Sequence, residues 1–331
     1  MHRVLIEHAY DIGEAELLAR GDRFWLSLPL FWSAGSANSA MAVLTHGATL
    51  VLQEYFEPAT AIRLLRDERC THYFAFPNVT QAIHKALGAD PRLPAARVAV
   101  TSGQPEILQM LRGMGFTLLL HPYGTTEDYG FATINGPDET LESLGWSQGR
   151  PLPGIELRIC DPDTRTIIAP GAPGEICLRG NVTIGYYKDE EKNRQVFDDE
   201  GFFHTGDLGI QHADGRLQFL GRLTELIKTS GFNVSPAEVE AALLAFDGVG
   251  EAYVVGVPDA ERGQAVVAWV RASAGNLPLE ALERHCAVHL SSYKVPRRFL
   301  MLDSFPLTAT GKVSKEALRR MAAERNAAEA T

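Results

Sequence analysis

Apolar residues in the first part of the chain follow two alternating rhythms. Residues 3–19 place Val4, Leu5, His8, Ile12 and Leu17 near helical spacing. Short apolar runs then alternate with helix-period segments. FWLSLP, with a strand over Phe24–Leu28, precedes a helix over Ser33–Leu44, and ATLVLQ, with a strand over Thr49–Leu52, precedes PATAIRLLRDE. HYFAFP precedes NVTQAIHKAL, RVAVTSG precedes PEILQMLRGM, and TLLLHPYG closes the series. Strands alternating with helices predict an α/β fold with a doubly wound parallel sheet. Such sheets bind ligands beyond the carboxyl ends of their strands. Two of those ends are rich in glycine and hydroxyls: Thr101-Ser102-Gly103 and His121-Pro122-Tyr123-Gly124-Thr125-Thr126-Glu127.

From about Gly145 the period shortens. GIELRIC, GEICLRG, FFHTGDLGIQ and RLQFLGR read as strands separated by the turns DPDT, APGAPG and HADG, which predicts an antiparallel sheet or small barrel. From about Thr224 the pattern changes again. Ser235-Pro236-Ala237-Glu238 has the form of a capping box with proline at the first helical position, opening a helix through Phe246. EAYVVGVP and AVVAWVRA follow as strands, then the helix LEALERHCAVHL, the strand RRFLML and a last helix from about Ser314, expected to fray after Met321. The organisation read from these shifts is an α/β part over 1–144, a β-rich subdomain over 145–223 and a small α+β C-terminal domain over 224–325.

Composition narrows the function classes. At 331 residues the chain exceeds the size at which a single core stops growing, so two domains or more are expected. A formal net charge of −10 argues against a nucleic-acid surface but not against a nucleotide, which a few local cations can hold. Cys70, Cys160, Cys177 and Cys286 form no CxxC pair, so reduced thiols in a cytoplasmic protein are expected rather than a zinc site or disulfides. Trp25 to Gln53 carries no charged residue, yet Pro29, Gly35, Asn38, His46 and Gly47 interrupt it. That segment reads as a buried βαβ piece, and no transmembrane segment is expected.

Three stretches carry candidate chemistry. TGDLG (205–209) sets Asp207 among glycines, where its carboxylate can bind a diol or merely cap a turn. YGTTE (123–127) offers an aromatic face, hydroxyls and a carboxylate suited to magnesium. PLTATGKVSK (306–315) puts Lys312 ahead of a helix, where it can reach an anion or simply be solvated. Alone, each stretch is more simply an ordinary turn or helix start.

Their combination is more specific. YGTTE, GEICLRG, GFFHTGDLG, GRLTELIKTSGFNVSP and TATGK occur in this order and spacing, and together they resemble the adenylate-forming superfamily: acyl- and aryl-CoA synthetases, adenylation domains of peptide synthetases, and beetle luciferases. The resemblance covers nearly the whole chain. It implies that residues 1–223 belong to an AMP-binding domain and that 224–325 form its lid. Tyr123 then resembles the aromatic that stacks on adenine, with Gly124 and Thr125 beside it. Thr126 resembles the hydroxyl that contacts phosphate, and Glu127 the acid that holds Mg²⁺. Asp207 and Arg222 resemble the pair that grips the ribose, and Lys312 the lysine that bridges acyl carboxylate and α-phosphate. Thr224 falls at the interdomain pivot. Lys228 and Gly231 fall in the segment that meets the thiol acceptor, while Gly103 and His121 line the acyl and adenine pockets.

The sequence departs from the family in three places. The Ser/Thr/Gly-rich phosphate loop ending in Pro-Lys-Gly is not found, and Met1 falls just after its expected end, so the chain reads as truncated before or through that loop. Trp32 stands where many relatives have histidine after PLF, and Thr224 where charged pivot residues are common. The implied activity is an acid–CoA ligase that uses ATP, Mg²⁺ and coenzyme A. Phe31, Trp32, Phe74, Phe76, Tyr129 and Phe131 favour a fatty or aryl acid. A non-catalytic adenylate-binding remnant and an adenylation-only enzyme serving a carrier protein remain as alternatives, and a homodimer is left open. A Rossmann-type oxidoreductase lacks its GxGxxG fingerprint.

Overall fold

The computed structural model describes residues 2–273, 275–307 and 313–329, with the backbone alone for 326–329. The chain divides into two compact units, residues 1–205 with 209–219, and residues 206–208 with 220–331.

The first unit begins with α1 (His2–Ala15), β1 (Arg23–Leu26), a π-helical stretch over Ala34–Met41 continued by α2 (Ala42–Thr45), and β2 (Thr49–Leu52). It continues through α3 (Pro58–Asp67), β3 (His72–Phe74), α4 (Pro77–Leu87), β4 (Val98–Val100), α5 (Pro105–Gly113) and β5 (Leu118–Leu120). The five strands form one sheet in the order β2-β1-β3-β4-β5, every pair parallel. Side chains alternate across a strand, and both faces of this sheet are buried. Phe24, Leu26, Phe74, Val98, Val100 and Leu120 enter one core. Their neighbours Trp25, Tyr73, Ala99 and Leu119 enter a second core with Ala61 and Leu65 of α3, Ile83 of α4, and Ile107 and Leu111 of α5. This is the doubly wound α/β sheet expected from the sequence.

Three local expectations are corrected. Helix α1 stops at Ala15 rather than running to residue 19, because Leu17 turns left-handed (φ 55°) and Leu18 N donates to Gly13 O, a Schellman-type ending. The helix expected over Ser33–Leu44 is largely π-helical. There, the Ser39 hydroxyl donates to the carbonyl of Ala34, five residues back, at 2.7 Å, and Gly35 lies so close to Pro29 that a Cβ would come within 2.2 Å of its carbonyl oxygen. Helical backbone also continues past Met321, in the last helix given below.

Beyond β5 come β6 (Thr133–Ile134), α6 (Leu141–Leu144), β7 (Arg150–Pro151), β8 (Ile155–Cys160), β9 (Pro173–Gly180), α7 (Glu190–Val196), β10 (Phe203–Gln211) and β11 (Leu217–Arg222). β8 and β9 pair antiparallel within a sheet ordered β11-β10-β9-β8. On it, Glu175, Cys177 and His204 lie buried together. His204 Nδ1 is 2.7 Å from Glu175 Oε2, which makes the group a self-satisfied polar knot.

The second unit contains β12 (Ile227–Thr229), β13 (Phe232–Val234), α8 (Pro236–Leu244), β14 (Val249–Asp259), β15 (Gly263–Ala272), α9 (Leu279–His289), β16 (Arg298–Met301) and α10 (Lys315–Glu329). Its five-stranded sheet runs β13-β12-β15-β14, with β16 parallel to β15. Strand β15 again alternates. Val266, Ala268 and Val270 face a core with α8 and α9, whereas Val267 and Trp269 face one with Leu318 and Ala322 of α10. The capping box is not formed. Ser235 Oγ donates to Leu220 O, and Glu238 accepts from Lys294 Nζ, so neither side chain closes on the start of α8. Among the described residues, no helix is long and apolar enough to cross a membrane.

Candidate active site

In the first unit the candidate residues gather past the carboxyl ends of β4 and β5. Gly103 follows β4, and a Cβ there would lie 2.0 Å from Leu144 O and 2.5 Å from His121 Nδ1. Glycine is therefore what lets the two strand ends approach. His121, just after β5, places Nδ1 2.9 Å from Leu144 O. A carbonyl only accepts, so Nδ1 carries the proton and Nε2 is left to accept from Gln148 Nε2 at 3.4 Å. Burial pushes this imidazole below its ordinary pKa, consistent with a neutral ring. Gln148 Oε1 in turn accepts from Phe219 N at 2.6 Å, and the Phe219 ring stacks on Tyr123 at 5.5 Å. Tyr123 is buried beneath it.

The loop Tyr123–Gly130 is folded around Asp128, which sequence reasoning did not single out. Thr125 donates to Asp128 Oδ2 through both N (2.7 Å) and Oγ1 (2.9 Å), and Gly130 N donates to Oδ1 at 3.1 Å. Those three bonds favour the carboxylate, but complete burial outweighs them and pushes the acid up to about 7. Gly124 is required for the fold of this loop, since a Cβ would sit 2.2 Å from Gly130 O. Thr126 is thereby left exposed. Glu127 is half-buried, and its Oε1 accepts from the Tyr186 hydroxyl at 2.6 Å. A short signal for Asp128 was present, an aspartate three positions after Thr125 as in turn-closing motifs. Gln148, Tyr186 and Phe219 act across long sequence separations and carry no such signal.

The aromatic residues expected on the acyl side include a connected row. Trp32 packs on Phe76 at 6.1 Å, Phe76 on Phe74 at 6.1 Å, and Phe74 on Phe131 at 5.7 Å. Phe31 is 84% exposed and meets only the edge of Trp32 among these rings. Tyr129 takes a left-handed turn conformation (φ 62°) beside His8.

The second unit holds the remaining candidates. Arg222 Nε lies 2.8 Å from Asp207 Oδ1, an ion pair joining a buried carboxylate to a half-exposed guanidinium. Thr224 is exposed in the 3₁₀ turn Leu223–Glu225. Lys228 and Gly231 belong to the β12–β13 hairpin, whose tip residues Ser230 (φ 51°) and Gly231 (φ 83°) are both left-handed, as in a type I′ turn. The Lys228 side chain is exposed, and its backbone N donates to Gln264 Oε1 at 2.7 Å. Lys312 lies outside the described residues.

Residues 1–187 match the AMP-binding enzyme family, and residues 238–312 match the AMP-binding enzyme C-terminal domain. The chain belongs to the AMP-binding enzyme family. It is thus a member of the adenylate-forming superfamily.

Among its relatives, a methyl-dioxo-octahydroindenyl-propanoyl:CoA ligase of Mycobacterium tuberculosis is 35% identical over 308 residues, covering 91% of this chain and 58% of that protein. The amide bond synthetase McbA of Marinactinospora thermotolerans superposes with a TM-score of 0.87 at 32% identity, covering 96% of this chain and 66% of that one. The O-succinylbenzoate coenzyme A synthetase MenE of Bacillus subtilis, in complex with ATP and magnesium ion, superposes with a TM-score of 0.81 at 28% identity, covering 96% and 64%. The chain of this AMP-binding family member spans about 60% of the length of the curated relatives it matches.

Proposed function

We propose that this chain carries the adenylate-binding and lid portions of an AMP-forming acid–CoA ligase. The observation that supports it most directly is the loop after β5. There a half-buried Glu127, an exposed Thr126 and a buried Tyr123 are held at a strand end of a parallel sheet, where this architecture places ligands. The chain supplies a carboxylate for magnesium in Glu127, whose Oε1 is taken by Tyr186 and whose second oxygen makes no hydrogen bond among the described residues. Magnesium there would neutralise phosphate charge.

In this reading the substrate carboxylate attacks the α-phosphate of ATP, an acyl-adenylate forms and pyrophosphate leaves. Lys312 meets the charge that builds on the phosphate oxygens, and the Thr126 hydroxyl contacts phosphate. Asp207 accepts from the ribose hydroxyls, with Arg222 fixing its carboxylate. In the second half-reaction the lid turns about Thr224 and brings Lys228 and Gly231 to the acyl carbonyl, where coenzyme A displaces AMP. The row Trp32–Phe76–Phe74–Phe131 suits a fatty or aryl acid, in a soluble cytoplasmic enzyme of fatty-acid or related acid metabolism.

The test is acid-dependent ATP–pyrophosphate exchange and AMP release, with and without coenzyme A, over fatty and aryl acids. CoA-dependent AMP release supports the ligase. Release indifferent to coenzyme A but stimulated by a carrier protein or an amine favours an adenylation enzyme with another acceptor. Tight calorimetric binding of an acyl-sulfamoyl adenylate without turnover favours an adenylate-binding remnant.

A further inference from the structure

Three elements of the second unit converge on one ammonium. Lys315, the first residue of α10, places Nζ 2.9 Å from Glu225 Oε2 and 3.2 Å from Glu240 Oε1. Glu225 closes the turn that contains Thr224. Glu240 lies on α8, and its Oε1 also accepts from Val254 N of β14 at 2.8 Å. The side chains of Lys315 and Glu240 are only 22% and 18% exposed, so this group is screened far less than an ordinary surface pair. One cation sits between two acids. Removing it leaves two carboxylates facing each other in a partly dry site, a larger loss than that of a single contact.

The same lysine is fastened to a second feature. Leu307 and Val313 pair in an antiparallel bridge, and Ser314 N donates to Pro306 O at 2.8 Å, immediately ahead of α10. Lys315 therefore grips the turn at 223–225 with its side chain while its backbone continues directly from that bridge.

We propose that Lys315 is a positioning residue that ties the turn around Thr224 to the Leu307–Val313 bridge, so that the two shift as one piece. For its catalytic consequence the inference rests on the functional reading above, in which Thr224 is the pivot and Lys312 serves adenylation. A pivot rigidly joined to the Leu307–Val313 bridge carries that bridge with it when the lid turns. A pivot that is not so joined turns while the bridge lags behind.

Hydrogen exchange on the whole chain tests the link without needing turnover. The mild substitution Glu225→Gln is expected to speed exchange at the Ser314 amide about tenfold, and Lys315→Met to speed it at both Ser314 and Leu226, with Lys315→Arg restoring protection. If Glu225→Gln changes exchange only within its own turn, the link is refuted. In the activity arm, Lys315→Met is expected to lower acid-dependent ATP–pyrophosphate exchange about tenfold, while CoA-dependent consumption of a supplied acyl-adenylate falls less than about twofold. Equal loss in both half-reactions would assign Lys315 a structural role only. Coupled hydrogen exchange in a wild-type chain with neither half-reaction would sink the functional reading and leave the link standing.

Discussion

The hydroxyl of Tyr186 donates to Glu127 Oε1 at 2.6 Å, joining the segment between β9 and α7 to the loop after β5. The backbone repeats the connection, since Thr183 N donates to Glu127 O at 2.6 Å. Asn193 of α7 then clamps Tyr186, accepting from its N at 2.6 Å and donating to its O at 3.0 Å. Glu127 is thus aimed by a tyrosine that is itself held at both backbone ends. Tyr186→Phe removes one charge-assisted hydrogen bond to a half-buried carboxylate, worth about 1.5–3 kcal/mol. The expected outcome is that about tenfold more magnesium is needed for ATP binding, read by calorimetric titration. Asn193→Ala should act in the same direction, because it loosens Tyr186 rather than Glu127.

Asp128 sets the pH behaviour of the same loop. Its folded pKa is raised to about 7, above the unfolded value, so its contribution to stability is complete at low pH and is lost as the pH rises towards 7. Ionising it in place costs on the order of 4 kcal/mol, about three pKa units at roughly 1.4 kcal/mol each. Asp128→Asn keeps an acceptor for Thr125 and cannot ionise. Its Tm, compared with wild type between pH 5 and pH 8, should fall less at the alkaline end. A parallel pair of curves would contradict the burial argument.

His72 works with the opposite sign. Its Nε2 lies 3.0 Å from Glu16 O, a pure acceptor, so the buried ring is neutral with Nε2 protonated. Burial, partly opposed by Asp22 and aided by Arg97, holds its pKa down to about 4. The unfolded chain takes up a proton near pH 6.5 and the folded chain does not, so stability is lost as the pH falls from 6.5 towards 4. His72→Gln, which keeps a donor for Glu16 O, should remove this acid loss, so that the variant's Tm rises as the pH falls from 6.5 towards 4 under Asp128 alone. Between pH 4 and 6.5 the two groups oppose each other, so the wild-type profile is flatter than either variant alone.

These predictions separate what was legible in the sequence from what was not. The parallel sheet was legible because Phe24/Trp25/Leu26 and Val98/Ala99/Val100 are apolar at every position, the mark of a strand buried on both faces. Thr49–Leu52 appears as a strand with the bounds expected. Family membership was legible because five motifs kept their order. The π-helical turn was hidden, because it depends on serine hydroxyls meeting carbonyls and on how closely Gly35 meets Pro29, and none of this changes the apolar spacing. Ser235 looked like a helix cap, but Leu220 O, fifteen positions earlier, takes its hydroxyl. Tyr186, Gln148 and Phe219 complete the loop after β5 through contacts that no local window contains.

Gly103 provides the sharpest test of the site's packing. Its missing Cβ is the space in which His121 and the Leu144 carbonyl meet, at 2.5 Å and 2.0 Å from where that atom would stand. Gly103→Ala cannot be absorbed by a flexible side chain, because one of the atoms in the way is backbone. Overpacking of this kind costs about 1–3 kcal/mol. If His121 swings aside to make room, its buried Nδ1–H loses Leu144 O and the cost grows by a further ~1–3 kcal/mol. Displacing His121 also disturbs Gln148 and, through Phe219, the face that stacks on Tyr123, so nucleotide affinity should fall together with Tm. Gly113→Ala is the matched control. That glycine ends α5, a Cβ there meets nothing within 4 Å, and alanine is the better helix former by roughly 0.5–1 kcal/mol. The two substitutions add the same methyl group and should move Tm in opposite directions. If Gly103→Ala instead matched Gly113→Ala in Tm and nucleotide binding, the close approach of the β4 and β5 ends would not be what shapes this site.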